Sequence, residues 1–376
     1  MPFVEIHTVV FILGAALVLA ALFSAIRTFV VPRGVQDRLA GGVFLVMNYL
    51  FERVSFRAKE AKRERAMAYF APISLLLLPI TWLSCLLIGY MAIFWAVDAS
   101  SWAGAFAISR LSLLYLGSDT QGLPAATVFA FSETVLSLLL AAILVSYLPT
   151  MYSAFSQREA AVTGLETRAG SPPTPLKMLT RLHRIEGMDH LETVWSTWQS
   201  WFEVVEETHT ALLPLVFYRS PQPDRSWITA AGAVLDTAAL VSSTLDRPRD
   251  PAAELCVRAG YLCLQRIARM FSIPINADPS PTDPISVTRD EFNQVYSDLA
   301  DVGVPLKADQ DQAWRDFAGW RVNYDAVLVA LAVLVAAPPA PWSSDRVHPR
   351  RRVFDTSYGR ARAVAAAIAA GQPVSS

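Results

Sequence analysis

Three stretches of this chain carry almost no charge, and they set its class of fold before any other feature is read. Thr8 to Ile26 and Ala66 to Val97 contain no Asp, Glu, Lys or Arg, and Leu123 to Tyr152 contains only Glu133. Each is long enough to cross a hydrocarbon core of roughly 30 Å, which takes about 20 helical residues. A segment in lipid must satisfy its own backbone polar groups, so each reads as an α-helix. The first stretch is either an uncleaved helix or a signal peptide. Glu5 precedes it, no basic n-region is present and no clean small-x-small cleavage site falls before Arg27, which favours the helix.

Charge sets the orientation. The connection between the first two stretches carries Arg27, Arg33, Arg38, Arg53, Arg57, Lys59, Lys62, Arg63 and Arg65, whereas between the second and third Arg110 is the only basic residue. Basic connecting loops stay in the cytoplasm. The expected layout, in a cell (inner or plasma) membrane, is N-terminus outside, basic loop inside, the segment from Trp102 to Pro124 outside, and everything after Tyr152 in the cytoplasm. Leu39 to Phe51 is apolar but too short to span. It reads either as an interfacial helix along the inner leaflet or as a helix packed on the spans.

Residues 153–376 hold most of the acidic residues and prolines. Breaker clusters fall at Ala169 to Pro175, Tyr218 to Arg225, Asp246 to Pro251 and Ile273 to Pro284. The expected helices between them lie near 176–186, 189–213, 227–245, 252–271, 289–302, 309–336 and 356–370. Thr288 followed by Glu291 is a capping box, in which hydroxyl and carboxylate satisfy free backbone donors. No period-2 strand appears. The fold class is therefore all-α and integral to a membrane, with segments 1–34 (first span), 35–65 (basic loop), 66–152 (second and third spans with the segment between them), 153–175 (linker) and 176–376 (a cytoplasmic helical domain).

Within that domain Trp195, Trp198, Trp201, Phe202 and Val205 recur at spacings of three and four, the pattern of a core face, with an oligomer contact as the alternative. Glu203, Glu206, Glu207 and His209 read as the solvated side. Ala326 to Ala337 is apolar but too short to span and reads as a buried helix. Cys85, Cys256 and Cys263 sit on core-like faces and imply no disulfide. No nucleotide, zinc-protease or nucleophile-elbow motif is present, so the sequence nominates no enzyme, cofactor or metal. The net charge of −1 gives no case for nucleic acid.

The segment between the second and third spans is the main functional signal. Residues 103–116 would make a helix of roughly 20 Å, too short to cross, and must be shielded by protein or line a water-filled cavity. It leads into Ser112-Leu-Leu-Tyr-Leu-Gly-Ser-Asp119. A spanning helix, a short re-entrant helix turning on a glycine and a second spanning helix is the layout of a pore-lining module. It resembles the tetrameric pore-loop cation channels, with outer helix, pore helix, filter and inner helix at 68–97, 103–115, 115–119 and 124–150. Potassium-selective members carry Thr-Val-Gly-Tyr-Gly-Asp, whose stacked carbonyls replace the ion's water shell. Here the filter-like loop is Tyr115, Leu116, Gly117, Ser118 and Asp119. The glycine and the closing aspartate match, while the threonine is replaced by Tyr115 and the second glycine is missing, which removes a residue suited to left-handed backbone angles. The run Tyr147 to Glu159 also looks like that of bacterial membrane proteins labelled potassium-channel-like.

That resemblance implies a homotetramer in a lipid bilayer passing monovalent cations, potassium among them, with relaxed selectivity. The alternative is a non-conducting membrane-anchored scaffold or sensor. Glu133 is the one acid in the spans and faces either a lumen or a packing partner. Arg110 either pairs with Asp119 or Glu133 to support the loop, or repels cations. Pro149 is either a hinge through which the cytoplasmic domain gates the third span or a helix end.

Overall fold

The computed structural model describes residues 2–29, 38–55, 69–97, 101–115, 124–346 and 357–372. Among them the secondary structure is helical, with one isolated bridge between Leu245 and Leu306 and no strand. The described residues form two compact units, the first ending at residue 153 and the second running from residue 154 onward.

The first unit contains α1 (Pro2–Phe29), α2 (Arg38–Ser55), α3 (Phe70–Val97), α4 (Trp102–Leu113) and the first part of α5 (Pro124–Ala169). Helices α1, α3 and α5 are long and apolar enough to cross a membrane, yet only 28%, 39% and 22% of their apolar windows are buried. Phe23, Leu76, Phe131, Leu138 and Val145 are among the side chains left exposed. Continuous apolar surface on this scale is what a lipid-facing protein presents, and a monomer in water does not. Helices α1 and α3 cross where both carry glycine. A Cβ on Gly14 would lie 2.6 Å from the Gly89 carbonyl, and one on Gly89 would lie 2.7 Å from a Val18 methyl. Trp82 Nε1 donates to Ser24 Oγ at 2.9 Å across the same pair. The Leu39–Phe51 stretch lies within α2, and Phe44 and Phe51 meet Phe70 edge-on at 6.2 and 5.8 Å, so packing on α3 occupies one side of this helix.

In the second unit α5 continues without interruption through 153–169, where the sequence suggests a linker. It is followed by α6 (Pro175–Arg184), α7 (Leu191–Ala211), α8 (Trp227–Ser243), α9 (Pro251–Met270), α10 (Arg289–Asp301), α11 (Gln310–Arg321), α12 (Asp325–Leu334) and α13 (Ser357–Ala369). Helix α8 is the centre of the unit. Every residue in it except Ser242 is buried, the signature of a helix apolar on all sides and enclosed by others. The aromatic face of α7 is core: Trp195, Trp198, Trp201, Phe202 and Val205 are all buried. Helix α9 meets it closely at Gly260, where a Cβ would lie 2.4 Å from a Leu235 methyl and 3.0 Å from the Phe202 ring. All three cysteines are free thiols, and the capping box at Thr288 and Glu291 forms as expected.

The single helix expected over 309–336 is instead broken. Helices α11 and α12 differ in direction by 53°. At the break the Asn323 amide donates to the Gly319 and Trp320 carbonyls, both at 3.0 Å, supplying from a side chain what a continuing helix would supply from its backbone. The bend brings Arg321 and Asp325 together at 2.7 Å. Fully buried Arg321 also pairs with Asp236 of α8 and donates to the Trp342 carbonyl, while Tyr324 donates to Asp236 at 2.8 Å. Ser286 donates to Asp325 through its backbone N–H at 2.6 Å and its hydroxyl at 2.7 Å. Burial disfavours the Arg321 charge, but Asp236 and Asp325 more than offset this and raise its pKa.

Removing one member of such a cluster leaves the others buried and uncompensated. Arg321→Ala should cost about 3–5 kcal/mol, read from chemical denaturation of the full chain; a loss below about 1 kcal/mol would show that the network contributes little.

Candidate functional site

The short helix α4 begins at Ser101, whose hydroxyl accepts from Gly104 N at 3.1 Å, and ends with Tyr115 in a left-handed turn at φ 59°. Its twelve residues span about 18 Å at 1.5 Å per residue, well short of a hydrocarbon core. Three polar contacts hold it between α3 and α5. Ser109 Oγ donates to Glu133 Oε1 at 2.6 Å and lies 3.1 Å from the Leu87 carbonyl, so one hydroxyl hydrogen serves acceptors on both neighbours. Thr134 Oγ1 donates to the Ser112 carbonyl at 2.9 Å. Nearby, Tyr90 and Ser132 share a hydrogen bond of 2.8 Å between α3 and α5.

Glu133 is fully buried, and its Oε2 has no hydrogen-bond partner among the described residues. A carboxyl group enclosed by apolar helices is costly, and it persists where it holds something. Here it holds Ser109. Arg110, one residue on, is exposed and makes no ion pair with Glu133, because helical geometry turns adjacent positions about 100° apart. Of the filter-like loop, Tyr115 is described and exposed; Leu116, Gly117, Ser118 and Asp119 lie outside the described residues, as does any pairing of Arg110 with Asp119. Pro149 is exposed inside α5, and the helix runs through it unbroken. It is therefore not a helix end.

Beyond Pro149 the same helix enters a polar cluster that the sequence did not mark. Arg158 is 1% exposed. Its guanidinium donates to Glu159 at 3.0 and 2.8 Å, to the Leu215 carbonyl at 3.0 Å and to the Tyr218 carbonyl at 2.7 Å, and lies 5.3 Å from the Phe155 ring centre. It also faces His209 Nε2 at 3.2 Å. A guanidinium can only donate, so Nε2 accepts and the neutral ring keeps its hydrogen on Nδ1, 3.1 Å from Thr208 Oγ1. His209 is thus part of the core and not of the solvated face assigned to it with Glu203, Glu206 and Glu207. The spacing carries the reason: it follows Phe202 by seven residues and Val205 by four, which places it on the buried stripe. Burial, reinforced by the Arg158 charge, holds its pKa well below the usual histidine range.

Comparison with family models, with curated proteins and with solved structures finds no match for this chain.

The His209 shift sets a pH dependence. The native ring stays neutral, while the unfolded ring protonates below about pH 6.5. The unfolded state then binds more protons, so stability should be level above pH 7 and fall by up to about 1.4 kcal/mol per pH unit below 6.5. His209→Gln should flatten that slope between pH 7 and 5.5 in thermal melts. An unchanged slope would assign the titration elsewhere.

Proposed function

We propose that the chain is a membrane channel-like protein whose pore module is α3, a re-entrant α4, the following loop and α5. Four copies surround one axis and pass monovalent cations without strict potassium selectivity, and the cytoplasmic helical unit gates through α5. The observation that carries this reading is the clamped short helix. Twelve residues that cannot cross a membrane are fixed between two helices that can, by Glu133, Thr134 and the Leu87 carbonyl, and they end in a left-handed turn at Tyr115. An anchor or scaffold has no use for such a helix. A pore does, since a short helix held at depth positions the loop that follows it.

One observation favours a second reading, a non-conducting membrane-anchored sensor with a pseudo-pore. Arg110 is exposed in the last turn of α4, and among the described residues no acid pairs with it. A fixed positive charge at the entrance to a pore opposes cations.

Native mass spectrometry of the full chain in lipid nanodiscs should give a tetramer, and planar-bilayer recordings should then show cation currents. Gly117→Val should abolish the current with the tetramer intact, and Glu133→Gln should change unitary conductance through loss of the acid that fixes Ser109. A stable monomer or dimer removes the axis on which the pore reading depends. A silent tetramer that conducts once Arg110 is replaced by Gln would identify that charge as the block.

A further inference from the structure

The second unit contains a cavity of about 350 Å³ between the 216–227 segment and the turn 335–338. This is near the lower end of small-molecule sites. Its walls are mostly apolar, with Phe217, Pro221, Pro223 and Trp227 on one side and Val335 and Pro338 on the other. Among the described residues the only charged side chains lining it are Arg219 and Arg225. Glu166, outside the lining, pairs with one terminal nitrogen of the Arg225 guanidinium, and the other donates to Thr163 at 3.1 Å. Arg219 is committed to the Val335 and Ala336 carbonyls at 3.1 and 2.6 Å and serves to fix the far wall.

Two further features mark the cavity as a site for an anion. Ser226, in the lining, is the N-cap of α8, so this 17-residue helix begins at the cavity wall with its first N–H groups and the positive end of its dipole. Independently, Ser220 lines the cavity, is only 8% exposed, and its hydroxyl has no hydrogen-bond partner among the described residues. A buried hydroxyl without a partner loses the water it would otherwise bind and gains nothing in return. Ser220 thus shares a cavity lining with Arg219, Arg225 and the N-cap of α8.

We propose that this cavity binds a small organic carboxylate, its anion held by Ser220, Arg225 and the N-terminus of α8, and its apolar body lying against Trp227 and the two prolines. A guanidinium fork matches a carboxylate in plane and spacing. The apolar walls would be wasted on a bare inorganic anion. Occupancy has a direct path to α5, because Arg158 donates to the Tyr218 carbonyl in the cavity wall and Arg225 is bound to Thr163 and Glu166. Binding stands apart from the channel reading. An effect of the ligand on conduction rests on it.

The test is equilibrium dialysis of the full chain in nanodiscs against labelled benzoate, with benzamide and inorganic phosphate as competitors. Saturable benzoate binding is expected, with benzamide and phosphate competing poorly. Ser220→Ala should weaken binding by a factor of about ten or more while raising the melting temperature of the ligand-free protein, since it removes an unsatisfied hydroxyl. Arg225→Gln should weaken binding comparably. Absence of saturable benzoate binding, equal competition by benzamide, preferential binding of phosphate, or unchanged affinity in both variants would overturn the proposal. Binding without any ionic current would retain the site and reject the channel, so the two failures are separable.

Discussion

The buried guanidinium of Arg158 is where the C-terminal part of α5 becomes part of a core. Before it, the helix is largely exposed and apolar; around it, four polar groups from α5, α7 and the 213–218 turn converge on one cation. An ion enclosed in this way is strongly penalised unless every donor finds an acceptor, so the segments that supply those acceptors have one permitted arrangement. The Leu215 and Tyr218 carbonyls must face α5, His209 must be neutral, and Trp201 Nε1 reaches the Arg158 carbonyl at 3.3 Å. One residue on a long helix thereby orders a turn and a neighbouring helix that share no sequence pattern with it.

The first unit solves the opposite problem. With no hydrophobic drive between helices in lipid, close approach and polar contacts set the packing, and both devices are present. Gly14 and Gly89 let two backbones meet within otherwise apolar and aromatic sequence. Ser109, Thr134 and Glu133 supply the directional contacts around α4, and the serine and threonine are of the kind that lipid-embedded helices tolerate because each hydroxyl can also return to its own backbone: Thr134 does so to Ala130 at 3.0 Å. Glu133 has no such fallback, which makes it the residue whose presence most needs a structural purpose.

Much of this was legible in the sequence where a single local rule decides. Uncharged length gave the three long helices, spacing gave the aromatic face of α7, and Thr288 with Glu291 gave a helix start. The rest depends on contacts between residues far apart in the chain. His209 was misread because glutamates surround it in sequence, although its register with Phe202 and Val205 held the signal. The break at 322–324 was hidden because Asn323 is an ordinary helix residue until its side chain turns back on the Gly319 and Trp320 carbonyls. Ser109 carries no mark beyond being a serine; only the fold places it against an acid 24 positions later. The run Tyr218 to Arg225 reads as a break between helices, and with Ser220, Pro221 and Pro223 it forms no helix. That irregularity is what leaves space for a cavity wall.

Arginine accounts for much of the order in these irregular segments. The last carbonyls of a helix have no intrahelical partner and sit at the negative end of its dipole. Arg181 donates to the Glu166 and Thr167 carbonyls near the end of α5, and Arg219 donates to the Val335 and Ala336 carbonyls just past α12. Arg321 and Arg346 reach the Trp342 and Ser286 carbonyls in loops, while Arg346 also binds Glu291 at 2.7 Å. A lysine could supply charge at any of these positions but not two fixed donors in one plane. Several of these irregular segments are therefore fastened by an arginine reaching them from another part of the chain. The same arrangement explains why the 335–338 turn can form one wall of a cavity without collapsing into it: its carbonyls are already bound, and the side of the turn that remains is apolar.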